Sequence, residues 1–324
     1  MQKDNIMVSI RCLTYNHAPY IRECLDGFVM QKTNFTFEIV IHDDASTDGT
    51  ADIIREYEKK YPHLFNAIYE TENQYSKQDG SIPRIVNPQL RGKYVAYCEG
   101  DDYWIDPYKL QKQVDILESD PECSLVYTSY RRYVQEEKRY MDDFIVDKEG
   151  YIYENFFQSV EYDPCILTLT VCVRSEILYN LPPMPQGAFK GDTYMWIAAS
   201  LKGKIRILKD VTGVYRLLSK SASHFTDKVS SLKFNYELLK MKLAILNLYP
   251  IKNINNTLEL KKTYLRNIVK YSLLTNNHSI YSDFQNDKKY FGEAKYRVKL
   301  FIYYFFREKH LFSCLSWIYR KFYN

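Results

Sequence analysis

Three carboxylates fall within four residues, at Glu99, Asp101 and Asp102. Residues 93–98, just before them, have the length and composition of a buried strand. The Asp-Pro pair at 106–107 favours a helix start, because Asp can cap unpaired N–H groups and Pro has its φ already set. Acids this close raise one another's pKa values unless a cation lies among them. Oxygen ligands suit Mg²⁺ or Mn²⁺, and such a metal can also hold a substrate phosphate.

This acidic cluster therefore predicts a metal-bridged nucleotide diphosphate. The alternative is a polar, solvated loop with a helix cap, which an isolated acidic cluster would favour. Two further polar loops help to decide between these interpretations, namely residues 14–17 and 43–49.

A mostly parallel α/β sheet, flanked by helices, is the element that must position these loops. Each loop follows a strand-like run and precedes a helical pattern, and this alternation is typical of parallel sheets. The carboxyl ends of parallel strands meet at one edge, where open α/β sheets bind ligands. The predicted strands of this part are residues 6–13, 37–42, 64–69 and 93–98.

The chain from residue 70 to residue 225 has a weaker pattern. The long connection over residues 70–91 contains Arg84, which we expect near a phosphate; the alternative is a solvated surface arginine. Residues 130–146 predict a hairpin or a mobile flap. Further predicted elements are strands at 123–127, 166–173, 204–208 and 214–216, and a helix that follows Gly191 and Asp192.

The charge is distributed unevenly along the chain. Residues 228–324 contain 18 Lys and Arg against 6 Asp and Glu, a net charge of +12, whereas the first 227 residues have a net charge of −8. An acidic body argues against a nucleic-acid enzyme, whose cleft would be basic. If such a body binds an anion, it needs a cation.

The basic tail differs in kind from the rest and predicts a separate helical extension, residues 228–324, after a catalytic domain at residues 1–227. Leu232, Tyr236 and Leu239 fall on one helical face, with lysines on the others. Such helices favour binding to a membrane surface; the alternative is that they pack on the catalytic body or on another subunit.

The cysteines indicate a reducing compartment. There are seven, an odd number without a C-x-x-C pair, which predicts neither a disulfide framework nor a zinc site. The first residues have no signal segment, and no apolar run is long enough to span a bilayer. We therefore expect a cytoplasmic protein, which the basic tail can bring to the inner face of the cell membrane.

Taken together, the motifs resemble those of the family 2 glycosyltransferases, inverting enzymes of the GT-A type that use a nucleotide-sugar donor. The resemblance covers roughly residues 6–225. Its specificity lies in the order of the motifs, which are Thr-Tyr-Asn at 14–16, Asp-Asp-Ala-Ser-Thr-Asp at 43–48, Glu-Gly-Asp-Asp at 99–102, and Gly191-Asp192 followed by Trp196.

The resemblance implies a nucleotide site, with UDP as the expected nucleotide. Thr14, Tyr15 and Asn16 match the residues that hold the nucleotide, with the tyrosine ring against the base or ribose. Asp44 matches the acid that accepts a hydrogen bond from uracil, and Asp43 would support the loop.

The resemblance also implies roles for the later acids. Asp101 matches the contact to the donor's ribose or sugar, and Asp102 matches the ligand of a divalent cation, Mn²⁺ or Mg²⁺. Asp192 matches the general base, although it could instead cap a helix. Arg216 could pair with phosphate and His224 could reach the metal, on a looser match.

The acceptor implied is a hydroxyl of a glycan or a lipid-linked molecule, in surface polysaccharide or glycoconjugate synthesis. The chain lacks the Gln-x-x-Arg-Trp signature of processive synthases, which favours the addition of one or a few sugars. Two other functions stay open. A sugar nucleotidyltransferase usually begins with a Gly-rich loop, and residues 11–20 contain no Gly. A non-catalytic protein could bind nucleotides, or glycans through its many tyrosines.

Overall fold

The computed structural model describes residues 6–77, 79–141, 152–153, 166–181, 191–219, 228–248, 270–275, 313 and 316–317. The chain divides into two compact units, one made of residues 1–182 and 191–218 and the other of residues 183–190 and 219–324. The predicted boundary between residues 227 and 228 falls inside the second unit and stays a prediction.

The first unit contains the sheet and six helices among its described residues. Its strands are β1 (Val8–Thr14), β2 (Phe37–Asp43), β3 (Phe65–Tyr69), β4 (Tyr94–Tyr97), β5 (Tyr103–Trp104), β6 (Cys123–Val134), β7 (Arg139–Tyr140), β8 (Ile152–Tyr153), β9 (Cys172–Arg174) and β10 (Lys204–Leu217). Its main helices are α1 (Ile21–Val29), α2 (Thr50–Lys60), α3 (Ser81–Val86), α4 (Lys109–Ser119), α5 (Glu176–Tyr179) and α6 (Asp192–Lys202), of which α5 is a single turn. Short 3₁₀ turns lie at Tyr75–Lys77, Asn87–Gln89 and Thr168–Thr170.

The sheet has the strand order β3-β2-β1-β4-β9-β6-β10-β5, with β7 paired to β6 and β8 to β10. The first four strands of this order run parallel. Their register pairs Thr14 with Asp43 and Asp43 with Tyr69, so these strands end together. The polar loops after β1, β2 and β4 consequently meet at one edge of the sheet, as predicted.

The fold class is confirmed, but the sheet is more mixed than expected. Strand β9 runs antiparallel to both β4 and β6, and β5 runs antiparallel to β10. Strand β6 again pairs in parallel with β10. The parallel part is therefore the half that bears the acidic loop.

Two predicted strand assignments were wrong in detail. Residues 166–173 form a 3₁₀ turn followed by the short strand β9, because the carbonyl of Leu169 turns to accept the indole N–H of Trp104. The two strands expected at 204–208 and 214–216 are one strand, β10, which pairs with β6 through register shifts. The expected helix start at 106–107 is also displaced: Asp106 accepts the N–H of Tyr108, and α4 begins at Lys109.

One face of the sheet forms the core against which α1 and α4 pack. Val8, Ile10 and Cys12 alternate along β1 and are fully buried. Phe28 of α1 packs edge-on against Trp104, with ring centroids 4.9 Å apart. The burial of Phe28 on α1 and of Trp104 on β5 fixes the position of the acidic loop, which lies between β4 and Trp104.

In the second unit, helix α7 spans Lys228–Leu248, and it lies within the predicted helical extension. Leu239 is buried as expected, but Lys242 is buried too, so not all of its lysines face water. Residues 270–275 are also helical. Within the described part of the chain, no helix has the length and apolarity that crossing a membrane requires.

Candidate active site

The loop after β1 brings one exposed ring and several buried polar atoms to the edge of the sheet. The Tyr15 side chain is 45% exposed, so its ring is accessible to a ligand. Asn16 has a left-handed backbone (φ 55°) and its Oδ1 accepts the N–H of Thr47 at 2.8 Å. Asn16 thus joins the first two loops, while buried Thr14 Oγ1 has no hydrogen-bond partner.

The loop after β2 contains the two acids of the second motif, and both are buried. Asp44 accepts the N–H groups of Gln74 (2.6 Å) and Tyr75 (3.0 Å), so it anchors the segment after β3. Asp43 accepts the N–H of Ser46 at 3.2 Å through Oδ2, but its Oδ1 is buried without a partner. The acid with the unpartnered oxygen is therefore Asp43.

The acidic loop after β4 is held close to the first loop. The N–H of Gly100 donates to the carbonyl of Leu13 at 2.9 Å, and the N–H of Asp102 donates to the carbonyl of Glu99 at 3.0 Å. A Cβ atom at Gly100 would lie 2.7 Å from Thr14 Oγ1 and 2.9 Å from His17 Nδ1. Only glycine permits this approach of the two loops.

The electrostatics of the acidic loop agree with the sequence argument. Burial, opposed by Arg11 and assisted by the charges of Asp101 and Asp192, raises the pKa of Glu99 to about 7. The pKa of Asp102 is also held well above its usual value, chiefly by burial and then by the charge of Asp101. The Asp102 side chain is only 3% exposed. A cation at this loop would relieve both effects.

Arg216, for which a pairing with phosphate was predicted, contacts the acidic loop. The backbone N–H of Arg216 donates to Asp102 Oδ1 at 2.8 Å, and its Nε donates to the carbonyl of Asp101 at 2.7 Å. The rest of its guanidinium contacts Gln135 (2.8 Å) and forms an ion pair with Glu23.

The candidate base, Asp192, begins helix α6 and is exposed. Its Oδ2 accepts the hydroxyl of Thr168 at 2.8 Å, and its Oδ1 accepts the N–H of Thr193 at 2.6 Å. Thr168 precedes Leu169, whose carbonyl accepts the indole N–H of Trp104, and the charge of Asp192 raises the pKa of Glu99, so Asp192 lies near the acidic loop. An exposed carboxylate held by a hydroxyl can accept a proton from a substrate.

One expected residue, Arg84, makes its described contacts away from the acidic loop. Arg84 lies in α3, is exposed, and contacts Asp79 through the backbone carbonyl (2.7 Å) and the carboxylate (3.2 Å). His224 lies outside the described residues.

His17 and Glu23 were not predicted from the sequence. His17 has a buried, unpartnered Nδ1; burial lowers its pKa, while Asp101 and two other acids raise it. For His17, the usable signal in the sequence was its place directly after the Thr-Tyr-Asn motif. Glu23 gave none, because its partner Arg216 is almost two hundred residues away in the chain.

The donor chemistry of the acidic loop fits a hard divalent cation. Buried carboxylate oxygens are ligands that Mg²⁺ and Mn²⁺ prefer. The described residues contain no set of three side chains that could hold a metal by themselves. A cation at Asp102 would therefore take most of its ligands from substrate oxygens and water.

The glycosyl transferase family 2 profile matches residues 9–180, a little over half of the chain. The chain belongs to this family of glycosyltransferases, and the sequence-based prediction is confirmed at that level.

Individual relatives agree with this family. An uncharacterized protein of Mycobacterium tuberculosis is 34% identical over 237 residues, which cover 68% of this chain and 62% of that protein. The chain thus matches less than two thirds of that relative's length. TuaG of Bacillus subtilis, named as a teichuronic acid biosynthesis glycosyltransferase, is 28% identical over 67% of this chain and 81% of its own.

Solved structures share the fold at low sequence identity. S. aureus TarS (residues 1–349) matches with a TM-score of 0.62 and 18% identity, over 98% of this chain and 93% of that one. The same TarS fragment in complex with UDP-GlcNAc matches with a TM-score of 0.58, 15% identity and the same coverage. The mannosyltransferase PcManGT of Pyrobaculum calidifontis, in complex with GDP-Man and Mn²⁺, matches with a TM-score of 0.52 and 15% identity, over 97% and 86% of the two chains. These likenesses concern the fold.

Proposed function

We propose that this chain transfers a sugar from a UDP-sugar donor to a hydroxyl of a glycan or lipid-linked acceptor, with inversion at the anomeric carbon. The observation that carries the proposal is that an exposed acid, Asp192, lies near the loop that contains a buried acid, Asp102. Asp102 suits a cation and the donor diphosphate, and Asp192 suits the proton of the acceptor hydroxyl.

The donor nucleotide would lie across the first two loops. The exposed ring of Tyr15 offers a stacking surface for the base or ribose. Thr14 Oγ1 and Asp43 Oδ1 are buried without hydrogen-bond partners. Hydroxyl or imide groups of a ligand would be partners for these two oxygens. Asp44 would act on uracil while it holds the Gln74 segment in place.

The chemical step is a single displacement. Asp192 takes the proton of the acceptor hydroxyl as that oxygen attacks the anomeric carbon, because the pKa of a free hydroxyl is far above neutral pH. The bond between the anomeric carbon and the diphosphate oxygen breaks, and its electron pair leaves with UDP. Asp102 would hold a divalent cation, which would supply Lewis-acid stabilisation of the leaving UDP.

The remaining expected contacts belong to the same proposal. Arg84 would have to release Asp79 to reach a phosphate, and His224 would add a ligand to the cation. TarS bound to UDP-GlcNAc and PcManGT bound to Mn²⁺ support a nucleotide-sugar and a metal for this fold. TuaG, named for teichuronic acid biosynthesis, supports a surface polysaccharide as the product class.

A panel of UDP-sugars with Mn²⁺ and glycan acceptors tests this function directly. We expect sugar transfer from one donor, with an anomeric configuration in the product opposite to that of the donor by NMR. Retention of configuration would overturn the single displacement. Release of pyrophosphate from a nucleoside triphosphate and a sugar phosphate would instead favour the nucleotidyltransferase.

We also propose that the protein works in the cytoplasm and that its basic C-terminal region binds anionic membrane. The net charge of +12 over residues 228–324 supports this, because basic segments near an anionic leaflet gain attraction that salt weakens. Flotation of the full chain with anionic vesicles, and its loss at high salt, is the expected result. Equal flotation with neutral vesicles would contradict it.

A further inference from the structure

Arg216 is almost wholly engaged inside the protein. Its side chain is 4% exposed, although it lies at the edge of the acidic loop. Its Nε donates to the carbonyl of Asp101, one terminal nitrogen donates to Gln135, and the other forms an ion pair with Glu23. Its backbone N–H donates to the carboxylate of Asp102. One residue thus fixes both the main chain and the side chain of the acidic pair.

Three tyrosine rings surround the same guanidinium. Its central carbon lies 4.8 Å from the ring centroid of Tyr103, 5.1 Å from that of Tyr20 and 5.8 Å from that of Tyr133. Aromatic faces attract a cation most strongly where water is excluded. To bind a phosphate, Arg216 would have to give up its contacts with these rings and its ion pair with Glu23.

The surroundings of Arg216 hold its backbone as well. Strand β10 pairs antiparallel with β5 at Gly213–Trp104 and Val214–Tyr103, directly beside the acidic loop. Glu23 lies in helix α1, which is packed on the core through Phe28. The arginine therefore connects the acidic loop to a helix and a strand that are themselves fixed.

We infer that Arg216 is a positioning residue, anchored by Glu23, that holds Asp101 and Asp102 in the arrangement that metal-dependent UDP binding requires. This inference rests on the proposed function, since it concerns the same site. It differs from a direct contact of Arg216 with the diphosphate, and the two accounts predict opposite effects of a change at Glu23.

Glu23→Gln is the variant that separates them. It removes the charge partner of Arg216 but keeps the shape of the side chain, and the 56% exposure of Glu23 allows the protein to fold. If Arg216 positions the loop, the variant binds UDP about tenfold more weakly when Mn²⁺ is present. Its affinity for UDP is unchanged when the metal is chelated. If Arg216 binds phosphate directly, freeing it leaves UDP affinity equal or higher.

Loss of a negative charge near the site would by itself strengthen the binding of the anion UDP and weaken the binding of the cation. At saturating Mn²⁺ the second effect is removed, so weaker UDP binding under that condition cannot come from net charge. Glu56→Gln is the matched control, because Glu56 forms an exposed ion pair at 2.7 Å with Arg22, the neighbour of Glu23 in α1. We expect this control to bind UDP as the unaltered chain does. Gln135→Leu, which removes another acceptor of the same guanidinium, should weaken metal-dependent binding in the same direction.

Isothermal calorimetry with UDP, with Mn²⁺ and with EDTA, measures all of these variants. If Glu23→Gln binds UDP with Mn²⁺ as tightly as the unaltered chain, the inference is overturned and the proposed function stands. If the unaltered chain itself binds no UDP with Mn²⁺, the proposed function and the inference both fail.

Discussion

Asp102 and Arg216 are 114 residues apart in the chain, yet the backbone N–H of Arg216 lies 2.8 Å from Asp102 Oδ1 and donates to it. The acidic loop is therefore fixed by a distant strand before any ligand binds. A site that is fixed in advance loses less conformational entropy when the ligand arrives. The other parts of the site can be tested one by one against this arrangement.

Replacement of Asp192 by Asn should abolish the proton transfer and leave the donor site intact. We expect turnover to fall by roughly 10²–10⁴-fold, with UDP affinity unchanged. Thr168→Val, which removes the hydroxyl that Asp192 accepts, should lower turnover less, because the carboxylate remains. Steady-state kinetics together with UDP calorimetry check both. Full turnover in Asp192→Asn would assign the base to another residue.

Gly100→Ala should separate the first and third loops. The added Cβ would meet Thr14 Oγ1 at 2.7 Å and His17 Nδ1 at 2.9 Å, so one loop must move. Overpacking of this kind costs about 1–3 kcal/mol of folding free energy. We expect a lower melting temperature and weaker UDP binding. A variant that melts and binds as the unaltered chain does would mean that the loops open at no cost.

Lys109 should make the stability of the first unit depend on alkaline pH. This side chain is fully buried, donates to Gln113 Oε1 at 2.6 Å, and has its ammonium 4.4 Å from the ring centroid of Trp104. Burial lowers the pKa of Lys109 to about 8, below the usual 10.5. The folded protein therefore loses this proton at lower pH than the unfolded chain does, and stability rises as the pH increases between the two values.

The rise over that whole interval is roughly 3 kcal/mol, because each pKa unit corresponds to about 1.4 kcal/mol. Lys109→Met removes the titration, so only the unaltered chain should gain stability as the pH rises. The free energy of unfolding of the variant minus that of the unaltered chain should therefore decrease between pH values of about 7 and about 9.5. Urea unfolding measures this difference, with the exposed Lys59→Met as the control. A difference that stays constant with pH would show that Lys109 does not titrate in the folded state.

The sequence alone was sufficient for the parallel half of the fold. Strands β1 to β4 and the helices α1 and α2 follow from period-two and period-3.6 apolar patterns, and the loops at the carboxyl ends of the strands follow from the topology. Helix α3 lies in the connection over residues 70–91, for which no helix was predicted. The burial of Asp43 and Asp102 could not be read from their type, since both were expected on polar loops. It depends on the neighbouring loops that cover them.

Contacts between distant segments were the part that the sequence could not provide. Nothing local to Glu23 identifies its ion pair with Arg216, and nothing local to Leu169 shows that its carbonyl accepts the Trp104 indole. The second contact explains why residues 166–173 do not form a full strand. In both cases a partner from another element decided the local structure, and apolar periodicity does not report such partners.

The central claim is that Asp102 holds a divalent cation on which UDP binding depends. The most direct measurement is a calorimetric titration of UDP with Mn²⁺ and with EDTA, in the unaltered chain, in Asp102→Asn and in Asp115→Asn as an exposed control from α4. Asn keeps an oxygen for the N–H of Arg216, so the loop can stay folded. We predict metal-dependent binding in the unaltered chain and the control, and its loss in Asp102→Asn. Equal metal-dependent binding in all three would contradict the claim.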